Sequence, residues 1–258
     1  MLLLLLVTVA ILADRIAPYN PLTANYALTR DPPFARHVLG TDHLGRDVLS
    51  RIIFGARVTL LVAVSSVLLG DSIGFIWGIA SGYTGGRVDL ISQRLLDVLM
   101  SFPSLILALL LMAALGAGLR TVIVAIAVTR VPITTRVVRS MVLSVKELAY
   151  VEAARMLGAS GPRVMARHIA PQCVAPFLII TTGHLGAAIF IEAALSFVGV
   201  GIPPPTPSWG NMLGGVLAEA FKPPWWMVLF PGVAITFTIL AVNLFGDALR
   251  DFLDPKLK

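Results

Sequence analysis

The residues best able to bind a metal are four histidines, His37, His43, His168 and His184, and one cysteine, Cys173. No two of the histidines stand three or four residues apart, the spacing that sets two ligands on one helix face, and HExxH is absent. A single cysteine allows neither an internal disulfide nor a cysteine-based metal centre. There is no GxxxxGK[ST], so the chain offers ATP no P-loop. The glycine-rich GYTGG at Gly82 to Gly86 has no strand before it and reads as a turn between apolar segments.

A second set of reactive groups lies inside apolar runs, where ionisable side chains are costly and mark function. Asp71, Asp97, His184, Glu192 and Asp247 are of this kind. Asp97 and Asp247 stand near the ends of their runs and read as helix-helix partners or snorkelling groups. His184 and Glu192 are eight residues apart, about two helical turns, on a similar face. Small residues surround them (Gly183, Gly186, Ala187, Ala188, Ala193, Ala194), which lets helices approach closely. This pair could line a translocation pathway or pack a bundle.

The elements that carry these groups are membrane helices. Of 258 residues, 57% are hydrophobic and 13% charged, against about 25% charged in a soluble domain. Runs near the ~20-residue length of a bilayer span recur along the chain. The reading is an all-α polytopic membrane protein of about six spans: Leu2–Ala13, Val58–Ala80, Leu95–Leu115, Thr121–Val138, Val174–Val200 and Trp226–Leu249. Residues 1–57 form an N-terminal span and its loop, and residues 58–258 the main transmembrane domain. The net charge of +6 fits basic cytoplasmic loops in contact with membrane lipid better than a nucleic-acid footprint.

Orientation follows from short-loop Lys and Arg. Arg139, Lys146, Arg155, Arg163 and Arg167 lie between the fourth and fifth spans, Arg87 and Arg94 around the start of the third, and Arg250, Lys256 and Lys258 in the tail. That side is expected to be cytoplasmic. The Asp14–Arg57 loop holds six arginines and runs against the rule, but it also holds Asp14, Asp31, Asp42 and Asp47, and long loops constrain orientation weakly. The first apolar run, 13 residues, reaches only about 20 Å of a ~30 Å core. It reads as a first span whose natural product begins upstream with a basic segment; a signal-peptide core is the alternative. Four prolines within Pro203–Pro207 forbid helix and imply a stiff outer loop. Trp209, Trp225 and Trp226 are expected at the membrane–water interface.

One stretch does not fit its apolar surroundings: YVEAARMLGASGPRVMARHIAP, Tyr150 to Pro171. Leu148, Val151, Ala154 and Leu157 recur at helical spacing. Gly158 can end that helix in a left-handed conformation. Ser160 can cap a second helix with Pro162 in its first turn, setting Arg163 and Arg167 four apart on one face. A short amphipathic helix is marginal alone in water, so its apolar side must meet a partner or the membrane surface.

The Glu152-Ala153-Ala154 run with Gly158, Ile169 and Pro171 resembles the EAA motif of bacterial ABC-importer permeases. LGTDHLGRDVLSRIIFGARVTL (Leu39 to Leu60), SFPSLILAL and ALSFVGVGIPPPTPSWGNML resemble the oligopeptide, dipeptide and nickel transport permeases, in their C-type subunit. The resemblance implies a permease without its own nucleotide site. It implies a second, B-type permease, two ATPase subunits that use ATP and Mg, and an extracytoplasmic solute-binding protein. It makes the loop at about 139–173 a coupling loop, with Tyr150, Glu152, Ala153, Ala154, Leu157, Gly158 and Arg163 facing the ATPase. Dipeptides, longer peptides, nickel chelates and glutathione are all solutes of similar permeases. Two other readings remain: a secondary transporter with Asp71 and Glu192 as ion carriers, and an intramembrane hydrolase with Asp71 facing Asp97.

Overall fold

The computed structural model describes residues 1–219 and 222–253, so Lys256 and Lys258 lie outside the described residues. In chain order the helices are α1 (Leu2–Ile11), α2 (Ala13–Ile16), α3 (Val48–Thr84), α4 (Gly86–Met100), α5 (Ser104–Leu115), α6 (Leu119–Val145), α7 (Ala149–Met156), α8 (Gly161–Val164), α9 (Ala170–Phe197), α10 (Trp209–Glu219) and α11 (Trp225–Leu253). A π-helical turn, Met165–Ile169, joins α8 to α9. The described residues contain no strand, only two isolated bridges in the loop before α3.

Six apolar segments fall where the sequence places them, but they are not six equal spans. Four helices are long and apolar enough to cross a membrane: α3, α6, α11 and the continuous Gly161–Phe197. The segment expected as one span at Leu95–Leu115 is broken. Helices α4 and α5 meet at 87° across Ser101–Pro103. Pro103 lacks an N–H, and its ring pushes the preceding residue out of helical geometry. Helix α4 is inside out: Val88, Ile91, Leu95 and Val98 are exposed, while Asp89 binds Arg139 and the Trp77 indole donates to Ser92.

Helix α3 also differs from expectation. Its 37 residues extend about 55 Å at 1.5 Å per residue, well beyond a ~30 Å core. The expected Val58–Ala80 is its embedded middle. Helix α3 runs unbroken across the boundary drawn at residues 57 and 58. Asp47 starts it, accepting from the Ser50 N–H and the Ser50 hydroxyl, each at 2.7 Å.

The α3–α6 pair forms the centre. Gly70, Gly74, Gly78 and Gly82 recur every fourth residue, and a Cβ on any of them would run into α6, at Ala127, Thr134, Val138 or Val142. Backbones meet closely along this stripe, as small residues permit in a membrane. Helix α9 packs on α3, α6 and α11, and α5 packs on α6. The core falls into three clusters along this axis. The middle one contains Val62, Val122, Ile126, Ile189 and Leu195; one end is built on Trp209 and Trp226, the other on Val138, Val151, Val164 and Ile169.

The tryptophans correct another expectation. Only Trp225 is exposed. Trp209 is buried against Gly55 with its indole N–H on the Ile52 carbonyl at 3.0 Å, and Trp226 is buried with its N–H on the Thr41 carbonyl at 3.2 Å. Both act as core staples that satisfy their one donor.

Candidate functional site

Helix α7 stands at one end of the bundle, beside the ends of α3 and α6. Its eight residues cannot be stable alone. What holds it is Val151, fully buried with Val138, Val142, Val164 and Ile169. Burying that side chain contributes about 2 kcal/mol. The helix then stops sharply. Gly158 takes φ +83°, the left-handed conformation expected of it. Its N–H donates to the Arg155 carbonyl at 2.9 Å, and the Ala159 N–H donates to the Ala154 carbonyl at 3.1 Å. This paired pattern is a Schellman motif, and it turns the chain back towards α8.

The second half of the insert is not a separate helix. Gly161 begins a helix that continues through Phe197. Pro171 is absorbed at the start of α9, because the preceding π-turn already departs from the i to i−4 ladder. Ser160 occupies the N-cap position, yet its side chain makes no capping hydrogen bond.

Contacts pin the elbow to α3. The Lys146 ammonium donates to the Gly82 carbonyl at 3.2 Å, and the Arg155 guanidinium lies 5.0 Å over the Tyr83 ring. The Tyr150 hydroxyl donates to the His168 carbonyl at 3.3 Å. Arg139 binds Asp89 with two hydrogen bonds, and Ser81 donates to the same carboxylate. The outer face of α7 is left open. Glu152, Ala153, Arg163 and Gly158 are exposed, Ala154 is half-buried, and the tip carries Met156 at 84% and Leu157 at 88% exposure. Met156 was not among the residues singled out from sequence. Its signal was there to read: a large apolar residue on a helix otherwise rich in polar and small residues.

The intramembrane groups lie elsewhere. Asp71 is fully buried; it accepts from the Thr134 hydroxyl at 2.6 Å, and His184 Nδ1 lies 3.0 Å from its carboxylate. Glu192 is fully buried too, accepting from Thr59 at 3.2 Å and Ser196 at 2.9 Å. Through these bonds His184 and Glu192 tie α9 to α3. Asp97 does not face Asp71. It is bound to Arg136, with Arg94 at 3.9 Å. The paired carboxylates a hydrolase requires are therefore not assembled. Asp247 is exposed. Among the described residues no three His, Cys, Asp or Glu side chains converge as a metal site.

Long apolar helices packed through a glycine stripe, with a short helix held out at one end, define a polytopic helical membrane protein. The chain belongs to the family of binding-protein-dependent transport system inner membrane components, whose model matches residues 74–258. It is 41% identical to the di/tripeptide transport system permease protein DppC of Pseudomonas aeruginosa over 262 residues, covering 99% of this chain and 86% of that protein. It is 41% identical to the glutathione transport system permease protein GsiD of Pectobacterium atrosepticum over 256 residues, covering 99% and 85%. The fold matches the inward-facing MetNI methionine ABC transporter at TM-score 0.63 and 18% identity, over 79% of this chain and 96% of that one. An amino acid ABC transporter with histidines matches at TM-score 0.57 and 16% identity, over 79% and 92%. The protein is an ABC-transporter permease of the inner membrane.

Proposed function

We propose that this permease carries a peptide or a peptide-like solute such as glutathione, the solutes named for its relatives. It works with a second, B-type permease, two ATPase subunits and an extracytoplasmic binding protein. ATP and Mg are used by the ATPase subunits. The α7 end faces the cytoplasm, where Arg87, Arg94, Arg139, Lys146, Arg155, Arg163, Arg167 and Arg250 gather. Alternating access moves the solute between the two permeases, past α9.

The observation that carries this reading is the asymmetry of α7. One buried valine anchors it, and its far side presents Met156 and Leu157 to solvent. Exposed apolar side chains on a small helix fit a cleft in a partner. In that contact Leu157 and Met156 fill the cleft. Tyr150, through His168, and Gly158, through the turn, set the angle. Ala153 and Ala154 let the partner approach, and Glu152 and Arg163 supply rim charge.

The test is co-purification of the ATPase subunits and solute-stimulated hydrolysis, wild type against Gly158→Val and Leu157→Asp. Both variants should insert and keep the second permease while losing the ATPase. Wild-type retention, stimulation and uptake in both would reduce α7 to a connector. Uptake driven by a proton gradient in the chain reconstituted alone would instead favour a secondary transporter.

A further inference from the structure

At the end opposite α7, a cavity of about 140 Å³ lies between the loop before α3, the first turn of α3, and α10. Its wall includes Asp42, Arg46, Arg51, Asn211, Met212 and Gly215. Asp42, Arg46 and Arg51 are only 5%, 6% and 4% exposed. Two guanidinium groups share the one carboxylate in this wall, and the neighbouring Asp47 bonds His37 at 2.8 Å and Ser50 instead. Arg46 gives Nε to Asp42 at 2.7 Å. Arg51 gives one terminal nitrogen to the Pro21 carbonyl at 3.1 Å, and its Nε stands 3.5 Å from Asp42. Each arginine has five N–H donors, so both keep donors beyond these bonds. Guanidinium donors that face a cavity are best satisfied by an anion, whose hydrogen bonds they strengthen.

Size and shape narrow the anion. Pockets that enclose whole small molecules run to about 300–1,000 Å³. This one admits a carboxylate and its first carbons. Arginine forks match a carboxylate in two parallel hydrogen bonds, and the methionine beside them can pack on the attached aliphatic carbons. Asn211 holds the wall in place, donating to the Ile202 and Thr206 carbonyls at 3.3 and 2.7 Å.

We propose that this cavity is a carboxylate-binding site at the extracytoplasmic end of the permease. It takes either the free C-terminus of a peptide or an acidic side chain of a protein docked at this end. The proposal uses the orientation given above but not the identity of the solute.

The experiment is calorimetric titration of the intact transporter complex in nanodiscs, without ATP. Three probes are used: N-acetyl-dialanine, its C-terminal amide, and N-acetylaspartyl amide. The amide should bind at least about tenfold more weakly than the acid, as loss of charge-assisted hydrogen bonds requires. A preference for N-acetyl-dialanine assigns the site to a free chain end. A preference for the aspartyl probe assigns it to an acidic side chain. Arg46→Gln should abolish binding. Gly215→Leu supplies the second variant: a Cβ there meets only His43 at 3.9 Å, so leucine fills the cavity and leaves the arginines and Asp42 untouched. Equal binding of acid and amide, no binding of either acid, or full binding in Gly215→Leu would overturn the proposal.

Discussion

The two ends of the bundle are built on opposite plans. At the loop end, Asp42 accepts from the Leu44 and Arg46 N–H groups and from the Arg46 side chain, Asp47 holds His37 and starts α3, and Trp226 reaches Thr41. Tyr19 stacks on His37 at 4.6 Å, and its N–H donates to the Ser50 hydroxyl. Loop and helices lock each other there within one chain. At the other end one buried valine, a glycine turn and the contacts of Arg155 with Tyr83 and of Tyr150 with His168 hold α7, and its apolar tip stays bare. A mesh tied within one chain holds a polar cavity in a fixed shape; a tip left apolar and exposed is shaped to be covered by another molecule.

That contrast can be broken most forcefully at the loop end. Asp42→Ala leaves Arg46 and Arg51 buried without their shared anion, a loss of about 3–5 kcal/mol. The expected result is a lower unfolding midpoint in detergent and new protease sensitivity across residues 17–47. An unchanged midpoint would mean that the mesh is decoration.

At the α7 end the order of effects reverses: transport fails while the fold stands. Gly158→Val puts a β-branched residue at φ +83°, where even ordinary residues are strained by about 1–2 kcal/mol. The strain falls on a local turn. The unfolding midpoint should move little, and uptake should be lost. Leu157→Asp and Met156→Asp act on the contact alone. Burying such a side chain is worth about 1.5–3 kcal/mol, so ATPase retention should fall roughly tenfold to a hundredfold. Global stability should hold within about 0.5 kcal/mol, because both residues are exposed. Glu152→Lys reverses a rim charge and should give a smaller, salt-sensitive loss of ATPase binding.

The same contrast decides what the sequence could reveal. Helix α7 and its turn are read from local signals: apolar spacing and a glycine stop, then a proline start for the helix that follows. The proline run at Pro203–Pro207 is equally local. The loop end is knitted from residues far apart in the chain, and spacing alone cannot pair them. The six arginines of the 14–57 segment looked like an exception to the charge rule. Arg46 and Arg51 bind Asp42 inside the chain, and Arg57 binds Asp14 and the α1 carbonyls of Ala10 and Ile11. Trp209 and Trp226 were placed at the interface on residue type, which says nothing of the carbonyl each one reaches. The break at Phe102–Pro103 was legible, since the residue before a proline resists helix, but the continuous apolar run concealed it. The glycine repeat at 70, 74, 78 and 82 was legible in the same way, as small residues one turn apart.

The smallest effect gives the sharpest comparison. Asp47 and Ser160 both occupy N-cap positions, one at each end of the molecule, and both residue types are favoured there. Only Asp47 uses its side chain, bonding the Ser50 N–H at 2.7 Å. Ser160 makes no such bond, so its helix starts on Pro162, which needs no N–H partner, and on the continuation into α9. Asp47→Ala should therefore cost at least the ~1 kcal/mol of a lost cap, and more through His37. Ser160→Ala should change stability by less than about 0.5 kcal/mol, although the motif reads as a cap. Paired unfolding curves for the two variants measure this directly. A loss near 1 kcal/mol in Ser160→Ala would mean that the serine caps the helix after all and that the elbow is more firmly built than its hydrogen bonds indicate.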